Sequence, residues 1–507
     1  MRWPKMMNAR CAIRSFAGAA VAAAFLLSCA STQAGNNASA GAGAFPLAAQ
    51  GSSFGASGLS AFAKENLGSF STFVLSNGLP VIVKKIAANR VEHISLIIRG
   101  GSAAANPASA GFEALALRTM ARSSTKYSYD DIRSILDETS SAIWSYSDFD
   151  YSAYSLKTLD KYFARIFPIW VDTLVNPSFK EADFDQELSQ AKLALQSKEQ
   201  DPWSKTGQTM NDILFAGHPY AASPEGTRES LAAAKLDDIK AWYGSRLRAD
   251  ALFVVAVGDF DTAALRRELE TGLGKLPSAG VGLPPPPPAL SDSGKWSRLT
   301  KVEFPQSKGM GYLRGDFAAP APSDPDYIPL SLGMKLLSDL LFNVVRDKYG
   351  AVYSPDAAIR SFNANYGSIT LFKSKNPGKA KAYIDEAVAL LAAGKAVSID
   401  PASSKDGYAP LAEVLEASKA QYVNELYASQ ATNGAIAGSI AQSVVSTGDY
   451  RSYLLDIDRI RAVTPAQVRA AVDKYILKGN IAWVALGSGD VLIPVQEGDF
   501  EGFTPAK

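Results

Sequence analysis

The sequence predicts an α+β protein built from two homologous domains, and three observations carry that prediction. Residues 231–258, "LAAAKLDDIKAWYGSRLRADALFVVAVG", and residues 460–487, "IRAVTPAQVRAAVDKYILKGNIAWVALG", align without a gap. Each reads as an apolar residue, a spacer, a helix opened by an acid or a Thr-Pro pair, a short loop and a strand ending in glycine. Their separation is far longer than a solenoid repeat, so a whole domain has been duplicated. "PPPPP", residues 284–288, is a stiff spacer between the copies. Finally, strand-like alternation and helical spacing both occur in each half.

Taken in order, the chain opens with Arg2, Lys5, Arg10 and Arg14, followed by the apolar run "AGAAVAAAFLL" at 17–27. That run has signal-peptide length and is too short for a stable membrane anchor. It ends in "LLSC", which resembles the bacterial lipoprotein cleavage box. The expectation is a signal peptide over 1–28 and a lipid on Cys29, with ordinary cleavage within "STQAG" as the alternative. The only other cysteine, Cys11, lies inside the leader. The mature part would then hold no disulfide, thiolate metal site or cysteine nucleophile. Residues 29–70 are rich in Ala, Gly and Ser, the composition of a flexible tether that stands a domain off a membrane. "GSSFG" at 51–55 matches G-x-S-x-G but lacks the strand and helix of a nucleophile elbow.

The first domain is expected over 71–281. Asn77-Gly78 between apolar runs signals a hairpin, and 93–101 reads as a strand. Helices follow over about 111–122 and from 129, a strand pair over 142–159, and further helices over 160–200, broken at Asn176-Pro177. After a linker at 282–290, the second domain runs over 291–507. In it "LLSDLLFNVVRDKYGAVYS", residues 336–354, carries one stripe of Leu336, Leu340 and Val344 and a second of Leu337, Leu341 and Val345, with Gly350 as a C-terminal cap.

The composition is that of an ordinary globular protein, 47% hydrophobic and 20% charged, and 51 basic residues face 50 acidic ones. Such balance argues against nucleic-acid binding and against a polybasic membrane-surface protein. The two histidines, His93 and His218, are scattered, so no pair stands one helical turn apart as a zincin requires. Both are expected to be structural. No P-loop, dinucleotide fingerprint or EF-hand loop occurs, and "GDFD" at 258–261 lacks phosphate-binding glycines. Acid runs at 148–150 and 183–187 would be the basis of any carboxylate-only chemistry, though such runs are usually solvated faces. Arg346 leaves its helix near the end and Tyr353 follows on an extended segment. Together they can hold a peptide carbonyl or an oxyanion. A helix-end arginine and an edge-packed tyrosine are the structural alternative.

The order of "LSNGLPVIV" (75–83), "GGS" (100–102), "VNPSF" (175–179), "HPY" (218–220), "DIKAWYGSRLRADALFVVAVGDFD" (238–261), "VRDKYGAVYS" (345–354) and the terminal repeat resembles the insulinase-like, or pitrilysin, peptidase family (M16). The resemblance covers about residues 71 to 490. It implies two domains, each a β-sheet layered with helices, which in active members enclose a chamber for peptides. Active members carry an inverted zinc motif, H-x-x-E-H. Counted from Gly111, its positions fall here on Ala114, Leu117 and Arg118, and the third ligand position falls near Leu193 and Ala194. The chain is therefore expected to hold no zinc and to hydrolyse nothing alone. The resemblance places Arg346 and Tyr353 on the pair that reaches a substrate at the zinc site. It implies a non-catalytic, substrate-binding subunit whose partner, an H-x-x-E-H homologue, holds zinc, with peptide as substrate; the lipoprotein-like leader adds the expectation of a lipid-anchored location in the cell envelope. The family's glycine-rich loop before this helix is replaced by "MKLL", 334–337. The alternative is a peptide-binding or assembly lipoprotein with no peptidase role.

Overall fold

A computed structural model describes residues 60–278, 285–291, 296–400, 404 and 406–503. The leader, Cys29, the tether as far as residue 59 and the 51–55 motif lie outside the described residues.

In the first half, strands β1 (Phe70–Val74), β2 (Pro80–Lys85), β3 (Val91–Arg99), β4 (Ala142–Ser147), β5 (Tyr151–Leu159) and β6 (Leu252–Gly258) form one sheet in the order β1-β2-β6-β3-β5-β4. In the second half, β7 (Leu299–Glu303), β8 (Gly311–Ala318), β9 (Ser354–Ile359), β10 (Tyr366–Ser374) and, after a small β11/β12 ribbon (Lys395–Val397 with Tyr408–Pro410), β13 (Ile481–Gly487) form another, ordered β7-β13-β8-β10-β9. Apart from β1 the orders coincide, and the β2/β6 and β7/β13 pairs are both parallel. The gapless repeat thus ends on β6 and β13, and the two-domain α+β expectation holds.

The helices follow the same plan. The first half has α1 (Ala61–Leu67), α2 (Phe112–Arg122), α3 (Tyr129–Thr139), α4 (Asp160–Val175), α5 (Glu181–Gln200), α6 (Pro202–Leu214), α7 (Arg228–Ala233), α8 (Leu236–Arg246) and α9 (Thr262–Gly272). The second has α10 (Tyr327–Leu341), α11 (Pro377–Ala392), α12 (Leu411–Ser429), α13 (Asn433–Thr447), α14 (Asp456–Ala462) and α15 (Pro465–Val472). Local chemistry sets their ends. Ser128 and Asp131 close a capping box on α3, and Thr464 and Gln467 do so on α15. The hairpin at Asn77-Gly78 forms, with Gly78 at φ 90°.

Each sheet is apolar on both faces, which is why β6 reads "LFVVAVG" without alternation. One face of the first sheet (Val81, Leu96, Leu156, Val254) packs on that half's own helices. The opposite face (Ile82, Ile97, Phe253, Val255) is covered by Ile440, Ala441 and Val444 of α13, from the second half. Reciprocally, Ala482 and Val484 of the second sheet are covered by Met210 and Leu214 of α6, from the first half. The helices that occupy matching places in the duplication are exchanged, and the halves interlock.

Two segments differ from the sequence reading. The last eleven residues assigned to the tether belong to the fold: Ser60 caps α1, whose Ala63 is fully buried, and Phe70 meets Tyr450 and Tyr453 of the second half. These apolar residues have a core to join, which the Ala/Gly/Ser composition before them obscures. In the described part of the linker, Leu290 is buried and His218 Nε2 lies 2.9 Å from the Pro288 carbonyl, so this strap is fastened to the first half.

Candidate functional site

α2 begins at Gly111, which sits at φ 80° in the left-handed region. A Cβ there would come within 2.6 Å of the Gly226 backbone, so the glycine is required by both conformation and space. Ala114 and Leu117 are buried, Leu117 completely, in the core of the first half. The Arg118 guanidinium folds back on its own helix, its Nε donating to the Ala114 carbonyl at 3.3 Å. On α5, Ala194 is exposed and Leu193 is 56% exposed. These side chains offer two methyl-rich surfaces and a cation, and none can ligate zinc. The residues present do not fit that metal. Among the described residues no three His, Cys, Asp or Glu side chains converge as a metal site.

An ion pair joins α2 and α5 instead. Arg122 donates to Asp183 at 3.1 Å and Glu187 at 2.9 Å, and its guanidinium lies 4.0 Å from the centre of the Tyr129 ring. Two of the three acids at 183–187 are thereby committed to structure, and the third, Asp185, is exposed. The run at 148–150 is committed too. Tyr146 donates to Asp148, while Asp150 accepts from the Tyr220 hydroxyl at 2.5 Å and from the Asn363 amide at 2.8 Å. The Ala364 amide donates in turn to the Tyr220 oxygen at 3.1 Å, so "HPY" serves as a clasp between the halves. Burial pushes the Asp150 carboxyl up to about 6 against those hydrogen bonds. Glu113, in the first turn of α2, is also buried. Burial raises its carboxyl above the usual range, opposed by Ser152, Arg246 and Trp242.

Both histidines are held by the fold. His93 Nε2 meets Ser95 Oγ at 2.8 Å, and Ser95 meets Ser155 at 2.8 Å. The His218 side chain accepts from the Tyr220 amide at 3.1 Å.

Arg346 and Tyr353 come together at the end of a long core helix. Residues 327–348 have the length and apolarity of a membrane span, yet 72% of that window is buried inside the protein. Both predicted stripes are buried, and "MKLL" lies inside α10 with Met334, Leu336 and Leu337 in the core. The helix then widens into a π-helical stretch, Phe342–Lys348, and stops at Gly350, φ 58°, whose amide donates to the Arg346 carbonyl at 2.8 Å. The Arg346 guanidinium stands 4.9 Å from the Tyr353 ring centre and 4.2 Å from that of Phe342. Tyr353 is 76% exposed and immediately precedes β9, the outer strand of its sheet. Among the described residues no hydrogen bond or ring contact joins this pair to Ala114, Leu117 or Arg118.

Residues 81–227 match the family profile described as Insulinase (Peptidase family M16), and residues 233–396 match that of the Peptidase M16 inactive domain. The chain belongs to the insulinase family. It is a member without the zinc motif, as Ala114, Leu117 and Arg118 show. One curated relative, the "Non-peptidase homolog YmxG" of Helicobacter pylori, is 24% identical over 199 residues, 39% of this chain and 46% of that protein. The match thus spans less than half of that relative's length. A peptidase M16 inactive domain from Pseudomonas fluorescens superposes with a TM-score of 0.72 at 18% identity, covering 86% of this chain and all of that one. A protease from Helicobacter pylori gives 0.71 at 15% identity, covering 82% and 99%. The first half of the periplasmic protease PqqL from Escherichia coli gives 0.67 at 13%, covering 85% and 95%. At these identities the likeness is one of fold.

The clasp at Asp150, Tyr220 and Asn363 escaped the sequence reading. Its only signal was a tyrosine inside a recognised motif and an acid in a run of acids.

Proposed function

We propose that this insulinase-family member is the non-catalytic, peptide-binding subunit of a two-chain zinc peptidase in the bacterial cell envelope. The H-x-x-E-H partner holds the zinc, and this chain contributes Arg346 and Tyr353. One observation carries the reading: an exposed Tyr353 and a half-buried Arg346 are stacked at the end of a buried helix, beside the free edge of β9. A strand edge can take an extended peptide by backbone hydrogen bonds. A fixed guanidinium and a phenol can then donate to the carbonyl oxygen on which charge develops. The envelope location rests on the lipoprotein box at Cys29.

A second reading is favoured by the burial of "MKLL" in α10. The segment that the resemblance expects as a glycine-rich loop is closed helix here, which suits an assembly or scaffold lipoprotein with no peptidase role. Affinity purification of the tagged chain from its own cells decides between them. The first reading expects a zinc-containing H-x-x-E-H homologue to co-purify. In that complex Arg346→Ala or Tyr353→Phe lowers kcat about a hundredfold, the usual loss on removing one oxyanion donor. Unchanged turnover in both variants eliminates the mechanism, and absence of the homologue favours the scaffold. Radiolabelled palmitate on the wild-type chain but not on Cys29→Ser tests the anchor.

A further inference from the structure

Between the start of α4, the loop after β6 and α9 lies a cavity of about 300 Å³, large enough for a small ligand. One wall is aromatic. Phe163 stacks on Phe167 at 5.0 Å and meets Phe260 edge-on at 5.3 Å. The rest is acidic, with Glu92, Asp160, Asp259, Asp261 and Glu268 all lining it. Asp160 pairs with Arg90, and Asp259 pairs with Lys85, at the rim. Asp261 caps α9 by accepting from the Ala263 and Ala264 amides, and Glu268 is exposed.

Glu92 is different. It is 5% exposed, and its Oε2 is buried with no hydrogen-bond partner. A buried carboxylate without a partner is costly, so a native fold keeps one only where something compensates it. The site is also built to seat it. A Cβ on Gly258 would come 2.8 Å from Oε2, so the glycine that ends β6 makes room for the carboxyl group. The duplicated copy lacks this arrangement. There Gly311 pairs with Gly487, and the space above Gly311 is filled by the Pro377 ring and Val491.

We propose that this cavity binds an organic cation, an ammonium or guanidinium group on a short apolar stem, with Glu92 as its buried counter-ion. The aromatic wall takes the stem and faces the cation with its π-surface. Lys85 and Arg90 neutralise the outer acids, leaving Glu92, Asp261 and Glu268 to attract it. The carboxylates do not converge as a metal-ion set. The same chemistry is offered by a free diamine or by a lysine side chain of a peptide.

Calorimetric titration of the full chain with 1,5-diaminopentane, and separately with a capped Ala-Lys-Ala peptide, tests the proposal and tells the two sources apart. Saturable binding of at least one probe is expected. It weakens at least about tenfold in Glu92→Gln, the scale of losing one charged hydrogen-bond partner. Glu268→Lys, an exposed charge reversal at the mouth that leaves the core intact, weakens it as well. Burial, then the charges of Asp160 and Asp259, push Glu92 up to about 7, so binding tightens about tenfold from pH 6 to pH 8 as Glu92 ionises. No saturation by either probe up to about 10 mM overturns the proposal. So does unchanged affinity in Glu268→Lys, or in Glu92→Gln when it folds.

Discussion

The two halves share one blueprint and differ in what they bury beneath the exchanged helix. In the first sheet, a neutral relay runs from His93 and Ser95 of β3, under α13, to Ser155 of the neighbouring β5, and a Cβ on Gly434 of α13 would lie 3.2 Å from His93 Nδ1. In the second, the strand under α6 carries a buried ion pair. Arg314 Nη2 donates to Asp316 at 2.6 Å, and a Cβ on Gly207 of α6 would lie 3.1 Å from Arg314 Nη1. In each case a glycine lets the crossing helix approach a polar group of the other half's sheet. Burial opposes the charge on Arg314, but Asp316 outweighs it and holds the guanidinium protonated above its usual range. Burial, helped by Lys157, pushes His93 down to about 4. The same architecture thus tolerates a satisfied charge pair in one copy and a titratable neutral group in the other.

The sharpest way to break this comparison is at the ion pair. Arg314→Met leaves Asp316, which is fully buried, without its counter-charge. A loss of about 3–5 kcal/mol in urea unfolding is expected, with most of it recovered in Arg314→Met/Asp316→Leu. A loss below about 1 kcal/mol in the single variant would mean that the pair is not dry. Next come the exchanged helices. Met210 of α6 and Ile440 of α13 are both fully buried against the opposite half. Either change to alanine is expected to cost about 2–5 kcal/mol. If the interlock is reciprocal, both variants still unfold in a single transition that moves by similar amounts. A large effect from only one would show that one exchange dominates.

The third test is pH. Unfolded His93 titrates near 6.5 and folded His93 near 4, so between those values the unfolded chain binds more protons. Stability from this group is full above about 6.5 and is lost as pH falls to about 4, by roughly 3 kcal/mol in all. Its neighbour Glu92 has the opposite sign. Its folded value, about 7, lies above its usual 4.5, so its contribution falls as pH rises across that window. Between about 4.5 and 6.5 the His93 slope therefore opposes that of Glu92, to which Asp150, raised to about 6, adds its own decline. His93→Gln should make stability fall more steeply as pH rises through that window. An unchanged profile in that variant would contradict the assignment. The smallest effect concerns the paired glycines. Gly258→Ala meets the Glu92 carboxyl at 2.8 Å, whereas Gly487→Ala meets nothing nearer than 3.3 Å. Thermal unfolding should show a loss of about 1–3 kcal/mol for the first and under about 1 for the second.

Much of the fold is legible in the sequence. The gapless repeat ends on β6 and β13, helices start at Tyr129 and at the Thr464-Pro465 pair, and the 336–345 stripes are core. The emptiness of the zinc positions was legible as well, because an alanine, a leucine and an arginine are not metal ligands wherever they sit. Helix α1 was not, since it follows a long Ala/Gly/Ser run and its segment is held by the contacts of Phe70 with Tyr450 and Tyr453 far along the sequence. The isolation of Glu92 was equally hidden, because an acid inside a strand says nothing about whether a partner will reach it.

By itself the sequence determined the local structure, the duplication and the loss of the metal ligands, because spacing, caps and side-chain chemistry are properties of short segments. Only the tertiary structure decided that α6 and α13 cross to each other's sheet, that Arg346 stacks beneath Tyr353, and that Glu92 is left without a partner. The reason is physical: an apolar stripe specifies that a face must be buried, while the surface that buries it is chosen by packing among segments hundreds of residues apart.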